Sequence, residues 1–184
     1  MSCQVFQLKE LGVELFEIQE VLLCIFHTIV FHRALGLVRP KDIDLELFDI
    51  TYVQCGDVEV ETKIDEKVTK FIDRVKKHPS RKHQICVSFY EVKNKQTSWF
   101  TNQVEQSSLE ERDARHSELE LALHEVLFQI INFGSEKKDH IPSIPNLEGA
   151  SFPFEITIAC SSESAFGMEL LNRMLHTGRP TMLG

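Results

Sequence analysis

The chain has 184 residues, 42% of them hydrophobic, so it can bury one sizeable core, and its length favours a single domain. Its net charge of -8 and its pI near 5.5 argue against nucleic-acid binding, which depends on a broad surplus of Lys and Arg. The five cysteines are an odd number spread along the chain, which is typical of reduced, buried thiols. Together with the lack of a secretory signal pattern, they predict a cytoplasmic protein.

A short strand is predicted at Val5–Leu8, and a core helix follows it. Across Val21–Phe31, only His27 and Thr28 interrupt an apolar run. A helix that is apolar on every face must be covered on every face. The run is also well short of the ~20 residues that cross a bilayer. We therefore predict a central core helix over Glu14–Ala34.

The middle of the chain alternates between strand and helix patterns. The segment Asp42–Val53 reads as one strand that bends at Leu47 and Phe48, where its apolar face changes. Apolar residues at helical spacing then predict an amphipathic helix over Val60–Lys77. Alternation of Ile85, Val87 and Phe89 with the residues between them predicts a strand over Gln84–Val92.

Basic residues cluster where the amphipathic helix ends. They are Arg74, Lys76, Lys77, Arg81 and Lys82. Such a run is typical of a solvated loop after a helix, and the alternative is a minor contact with an anion or a membrane surface.

A third helix is predicted to begin at a capping box formed by Ser108 and Glu111 and to end at Phe133, before Gly134. One apolar stripe of this helix is predicted to face the core: Leu119, Ala122, Val126, Ile130 and Phe133. At ~100° per residue, a second stripe lies close to the opposite side. It consists of Leu121, His124, Phe128 and Ile131. Two opposed stripes need two packing partners, of which one is the chain's own core and the other is a candidate partner protein.

The C-terminal part contains the clearest strand pattern, over Phe152–Cys160. Because Pro153 cannot donate a ladder hydrogen bond, this strand is predicted to lie at a sheet edge. A short helix is predicted over Phe166–Leu175. We divide the chain into a domain over residues 1–163 and a C-terminal segment over residues 164–184.

The sequence contains no recognisable catalytic, cofactor-binding or metal-binding constellation. His27 and His32 are five positions apart on one helix, unlike the i, i+4 pair of a zinc helix, so His27 is predicted to be a hydrogen-bonded core histidine and His32 a partner of the helix dipole. A thiol nucleophile would need Cys24 or Cys86 beside a histidine, whereas buried thiols are inert. We therefore predict that the protein is not an enzyme.

Trp99 and Phe100 stand out because polar stretches flank them. The segment Lys93–Ser98 precedes them, and Gln103–Ser108 follows without a predicted strand. In a polar loop, the pair would either fold back into its own core or stand out as an anchor for a partner. Each ring carries about 150–250 Å² of surface, which is costly to leave uncovered.

Several segments together resemble the autophagy-related protein 101 family, whose members are HORMA-domain subunits of the autophagy-initiation kinase complex. The segments are Phe26–Arg33, Phe48–Val53, Ser98–Phe100, Ile141–Pro145 and Phe152–Ile158. The resemblance implies an α+β, HORMA-like fold with three helices packed on a mostly antiparallel sheet, held in an open-like state.

The resemblance also implies a function as a scaffold subunit. Such a subunit binds and stabilises the HORMA domain of autophagy-related protein 13 in a heterodimer, and it recruits further autophagy-initiation factors through a Trp-Phe finger, which by match is Trp99 and Phe100. It is cytoplasmic and recruited to the phagophore assembly site, where autophagosome formation begins, and its contact with membrane is at most indirect. We further predict that the second stripe of the third helix binds the partner. Two alternatives stay open: a small cytosolic thiol-dependent enzyme, and a soluble trafficking adaptor of another α+β fold.

Overall fold

The computed structural model describes residues 4–33, 38–79, 81, 83–89, 98–105, 112–136 and 154–160. These ranges contain three helices and seven strands. In chain order they are β1 (Gln4–Gln7), β2 (Leu11–Gly12), α1 (Ile18–His32), β3 (Lys41–Asp44), β4 (Thr51–Gln54), α2 (Val58–Lys77), β5 (His83–Phe89), β6 (Ser98–Glu105), α3 (Arg112–Glu136) and β7 (Phe154–Cys160). The helix predicted over Phe166–Leu175 lies outside the described residues.

The larger sheet has the strand order β1-β6-β5-β7, and β2 also pairs with β6. The long ladders that β5 forms with β6 and β7 are antiparallel. The short ladders that β1 and β2 form with β6 are parallel. The predicted α+β class with three helices and antiparallel strands is therefore confirmed, and the sheet is mixed rather than purely antiparallel.

Helix α1 is the centre of the core. It packs against α2, α3 and β4, and from Val21 to Val30 only Leu23 is not fully buried. This confirms that a helix apolar on every face is covered on every face. The helix begins later than predicted because the residues before it form a turn, in which the Glu14 backbone N–H donates to the Glu17 carboxylate at 2.7 Å.

The segment predicted as one bent strand is instead the hairpin β3–β4, so that prediction is wrong. The change of apolar face marks a connection over residues 45–50, within which Phe48 and Ile50 are buried. Two helix carboxylates hold this connection by accepting backbone N–H groups. Glu20 of α1 accepts from Leu47 at 3.0 Å, and Glu120 of α3 accepts from Asp49 at 3.3 Å.

The other predicted elements of the middle region are present. Helix α2 begins at Val58 because the Asp57 carboxylate caps it, accepting the backbone N–H groups of Glu59 at 2.9 Å and Val60 at 3.2 Å. Strand β7 pairs only with β5 among the described strands, which places it at the edge of the sheet, as predicted. Its first residue, Phe154, contacts α2 through the Lys63 ammonium, which lies 4.1 Å from the centre of the ring.

The third helix runs past the predicted stop at Phe133, to Glu136, so its predicted end is wrong. Gly134 is a helical residue here and not a terminator. A Cβ atom on it would lie 3.4 Å from the Cβ atom of His32, so the glycine sits where α3 approaches the end of α1. Packing against α1 therefore outweighs the weak helix propensity of glycine. The predicted capping box at Ser108 and Glu111 lies outside the described residues.

Candidate protein-interaction site

One face of α3 is built into the core. Its buried residues are Leu119, Leu123, Val126 and Ile130, and Ala122, Leu127 and Phe133 are partly buried beside them. The centre of the Phe133 ring lies 4.8 Å from the centre of the Phe6 ring in β1. Helix α3 also packs against α1 and β2. The predicted core stripe therefore does face the core, and Leu123 completes it.

The opposite face of α3 carries the predicted second stripe. Leu121 is 66% exposed, Phe128 is 64% exposed and Ile131 is 37% exposed, while His124 is half-buried. We call these four residues the outer stripe. An aromatic and two aliphatic side chains on one exposed helix face form an apolar surface of the kind that partner proteins cover.

Polar contacts tie down both flanks of the outer stripe. On one side, the Lys9 ammonium lies 2.5 Å from the Glu125 carboxylate, and the Lys9 backbone N–H donates to Gln129 Oε1 at 3.1 Å. On the other side, Glu120 holds the loop before β4 through the backbone N–H of Asp49. These contacts connect α3 to neighbouring segments on both sides of a stripe that remains exposed.

The start of α3 is anchored to the approach of α1 by charged groups. Arg115 Nη1 lies 3.1 Å from Glu14 Oε1, and both side chains are largely covered. His116 Nδ1 lies 3.8 Å from the buried Glu17 carboxylate, and its ring stacks on Phe48 with 4.9 Å between the centres. These contacts set the orientation of α3, and hence the direction in which the outer stripe faces.

Trp99 and Phe100 lie within β6, so the prediction that they belong to a polar loop is wrong. In the ladder, Trp99 is opposite Ser88 and Phe100 is opposite Val87 on β5. On the other side, the two residues pair with Val5 and Phe6 of β1. The strand continues to Glu105, so a strand also follows the pair where none was predicted. Backbone pairing on both sides accounts for a strand in a stretch of low apolar content.

The described thiols are poor candidates for a nucleophile. Burial raises the pKa of Cys24 to about 12, that of Cys55 to about 11 and that of Cys86 to about 12. Because the thiolate is the reactive form, these three groups are inert at neutral pH. Within the described part of the chain, no group of three or more His, Cys, Asp or Glu residues has the arrangement of a metal site.

His27 is a core residue, as predicted. Its ring stacks on Tyr52 with 5.9 Å between the centres, and burial lowers its pKa to about 4. The prediction that its ring nitrogens are hydrogen-bonded is wrong for Nδ1, which has no hydrogen-bond partner among the described residues. A neutral imidazole surrounded by apolar side chains is consistent with structural packing.

Sequence reasoning missed three exposed apolar residues outside α3. In the turn before α1, Leu15 is 38% exposed and Phe16 is 62% exposed, and Val58, the first residue of α2, is 74% exposed. The sequence signal for Leu15 and Phe16 is their position between Glu14 and Glu17, a stretch that the prediction includes in the core helix. No helix among the described residues has both the length and the apolar character needed to span a membrane.

Taken together, the fold and the site define an α+β protein whose most distinctive surface is an apolar helix face. The sequence matches the family model described as Autophagy-related protein 101 over residues 10–148. The Autophagy-related protein 101 of Arabidopsis thaliana is 56% identical over 216 aligned positions that include 100% of both chains.

More distant relatives match a shorter region. The Autophagy-related protein 101 of Xenopus laevis is 27% identical over 107 residues, and the human protein is 25% identical over 107 residues. Each of these alignments covers 50% of this chain and 49% of the relative. The chain therefore belongs to the autophagy-related protein 101 family, which confirms the resemblance and makes it an autophagy protein. The names of the family and of these relatives refer to autophagy and to no enzymatic reaction.

Proposed function

We propose that the chain is a non-catalytic subunit of the autophagy-initiation complex that binds and stabilises the HORMA domain of autophagy-related protein 13. In this proposal, residues 1–163 form a HORMA-like domain in an open-like state, and the outer stripe of α3 is the contact surface. The protein is cytoplasmic and is recruited to the phagophore assembly site.

The observation that carries the proposal is the pair of opposed apolar stripes on α3. The inner stripe is buried, whereas Leu121 and Phe128 in the outer stripe are each about two-thirds exposed. An aromatic side chain buries about 150–250 Å² in an interface, and such anchors often contribute ~2 kcal/mol or more to binding. A partner that covers the outer stripe would therefore gain substantial affinity from a few residues.

The fixed flanks of the outer stripe also support the proposal. The inner face of α3 is buried in the core, and polar contacts connect its flanks to Lys9 and to the loop before β4, so a partner meets a surface that is already ordered. A preorganised surface loses less conformational entropy on binding than a mobile one does.

The experiment that tests this surface compares two charge substitutions of exposed apolar residues. Phe128→Asp should weaken binding to the purified HORMA domain of autophagy-related protein 13 by roughly thirtyfold or more in titration calorimetry. Val58→Asp is the matched control, because Val58 is equally accessible but lies on α2, and it should leave the affinity nearly unchanged. Equal effects of the two substitutions, or no effect of either, would refute the proposed surface.

We further propose that Trp99 and Phe100 recruit downstream autophagy factors. The pair lies near the start of a strand whose backbone is paired on both sides, so a short binding element here has a base that is hydrogen-bonded to two neighbouring strands. Trp99→Ala with Phe100→Ala should leave partner binding intact and remove autophagy-initiation factors from the purified complex, as measured by quantitative mass spectrometry.

The next two residues of the same strand provide the control. Thr101→Ala with Asn102→Ala should retain the recruited factors. If the Trp99 and Phe100 substitutions instead lower the melting temperature by many degrees, the pair belongs to the core and the recruiting role is wrong.

A further inference from the structure

A second exposed apolar site lies at the turn into α1, on a different element from the outer stripe. Phe16 is 62% exposed and the neighbouring Leu15 is 38% exposed. The acidic residues on either side are engaged elsewhere. Glu14 pairs with Arg115 at 3.1 Å, and the buried Glu17 carboxylate lies 3.8 Å from His116. The two apolar side chains are therefore flanked by carboxylates whose charge is partly compensated.

One basic side chain, that of Arg81, adjoins this apolar turn. Arg81 is exposed, and the exposed Lys76 and Lys77 precede it in the last turn of α2. Leu15, Pro79 and Arg81 line one shallow depression, which brings the approach to α1 beside the exit from α2. Apolar and cationic side chains thus share one region of the surface in a chain whose net charge is -8.

Hydrogen bonds attach Arg81 to the end of α2. The backbone carbonyl of His78 accepts two hydrogen bonds, from the Arg81 backbone N–H at 3.1 Å and from His83 Nε2 at 2.9 Å. The ring of His83 in turn meets Phe71 of the core edge-on, with 6.1 Å between the centres. Arg81 is therefore connected through His78 and His83 to the core of the domain.

We propose that Leu15, Phe16, Lys76, Lys77 and Arg81 form a contact site for an anionic membrane surface, which we call the lipid patch. Exposed aromatic and aliphatic side chains insert at the headgroup boundary, and basic side chains are attracted to anionic lipid. This departs from the sequence-based expectation that membrane contact is at most indirect. It is independent of the proposed partner surface on α3.

The shape of the surface favours lipid over an acidic peptide. The depression beside Leu15 encloses only about 10 Å³, which is roughly the space for one water molecule. It cannot receive the anchoring side chain of a peptide. The side chain that projects is the protein's own Phe16, and a bilayer interface accepts such a group without a preformed pocket.

The charges and the aromatic ring of the lipid patch set the expected effect of each substitution on partitioning to anionic vesicles. Each Lys or Arg near an anionic bilayer should raise partitioning about fivefold, so the combined substitution Lys76→Gln, Lys77→Gln and Arg81→Gln should lower it about a hundredfold. Phe16→Ser should lower it about tenfold by removing the inserted ring. Raising the salt concentration should also weaken binding, because exposed charges are screened.

Flotation of the full chain with vesicles tests the lipid patch. Vesicles that contain phosphatidylserine and phosphatidylcholine are compared with vesicles of phosphatidylcholine alone. The control for charge is Arg39→Gln with Lys41→Gln and Lys70→Gln, which removes the same charge from exposed positions elsewhere. The control for exposed apolar surface is Val58→Ser, because Val58 is at least as exposed as Phe16 but lies at the start of α2, outside both proposed surfaces.

We expect the native chain to bind the phosphatidylserine vesicles. Both lipid-patch variants should bind them more weakly, and both control variants should bind them as the native chain does. It is overturned if the two kinds of vesicle bind equally, or if the patch and control variants behave alike. It is also overturned if vesicles do not bind and the patch variants instead lose an acidic protein partner. Melting temperatures of the four variants close to that of the native chain establish that changes in binding reflect the surface.

Discussion

Helices α1 and α3 both carry more than one apolar face, and they differ in how these faces are covered. Helix α1 is apolar on all faces, and α2, α3 and β4 surround it. Helix α3 is apolar on two opposed faces, of which one is packed against the domain and the other carries the exposed side chains of Leu121 and Phe128. The difference lies in how much of each apolar surface the described part of the chain covers.

This difference indicates what each helix is for. The apolar residues of α1 are satisfied within the domain, so their contribution is to stability. The outer stripe of α3 adds nothing to the core, and it is costly to keep in water unless a partner covers it. The two helices should therefore respond very differently to similar substitutions.

The largest effect on stability is expected from truncating a core side chain in α1. Phe26 is 1% exposed, and Phe26→Ala should lower the free energy of unfolding by about 3–5 kcal/mol because it removes buried surface and leaves a cavity. Urea denaturation followed by circular dichroism measures the change. A loss below about 1 kcal/mol would mean that α1 is not the tightly packed centre of the fold.

The second largest effect is expected in the pH dependence of the free energy of unfolding, and it comes from His27 in α1. Burial lowers the pKa of His27 from 6.5 to about 4, so the unfolded chain takes up a proton between these values that the folded chain does not. Stability is therefore unaffected by this group above pH 6.5 and falls as the pH drops toward 4, by about 1.4 kcal/mol per pH unit.

A substitution isolates this contribution from that of other titrating groups. Relative to the native chain, His27→Leu should gain up to about 3 kcal/mol of stability as the pH falls from 6.5 to 4. Urea denaturation at a series of pH values measures the difference. A constant difference across this range would show that the His27 site is accessible to protons in the folded protein.

A smaller effect is expected where α3 is anchored to the approach of α1. Glu14→Gln should cost about 1 kcal/mol, because Arg115 loses a partner at a site where both side chains are less than a quarter exposed. Glu66→Gln removes a comparable pair with Lys70 that is well exposed, and it should cost no more than a few tenths of a kcal/mol. Equal costs in thermal denaturation would contradict the anchoring role of Glu14.

The smallest effect should come from the outer stripe in the isolated chain. Phe128→Ala should change the free energy of unfolding by less than about 0.5 kcal/mol, because the ring is 64% exposed. The measurement is the same urea titration as for Phe26→Ala. A loss similar to that of Phe26→Ala would erase the distinction between the two helices.

Sequence patterns were sufficient to predict a helix or strand where its surroundings are the same along its whole length. The apolar run of α1, the amphipathic spacing of α2 and the alternation of β5 and β7 each report one environment along the whole element. The outer stripe of α3 was identifiable for the same reason, since helical spacing separates its residues from those of the core stripe. These elements carry most of the fold and the proposed partner surface.

Sequence patterns failed where distant contacts decide the structure. The hairpin β3–β4 depends on the carboxylates of Glu20 and Glu120, which lie on two helices remote in sequence. Strand β6 depends on pairing with β1 and β5 on either side, and its own side-chain pattern is mostly polar. Helix α3 continues past Gly134 at the point where it approaches His32 of α1.

Light scattering can show whether a second protein covers the outer stripe of α3. The chain is co-expressed with the HORMA domain of autophagy-related protein 13, and the purified material is measured. We expect one species with the summed mass of the two chains, which Phe128→Asp separates into its components. Two independent monomers from the native chains would contradict this expectation.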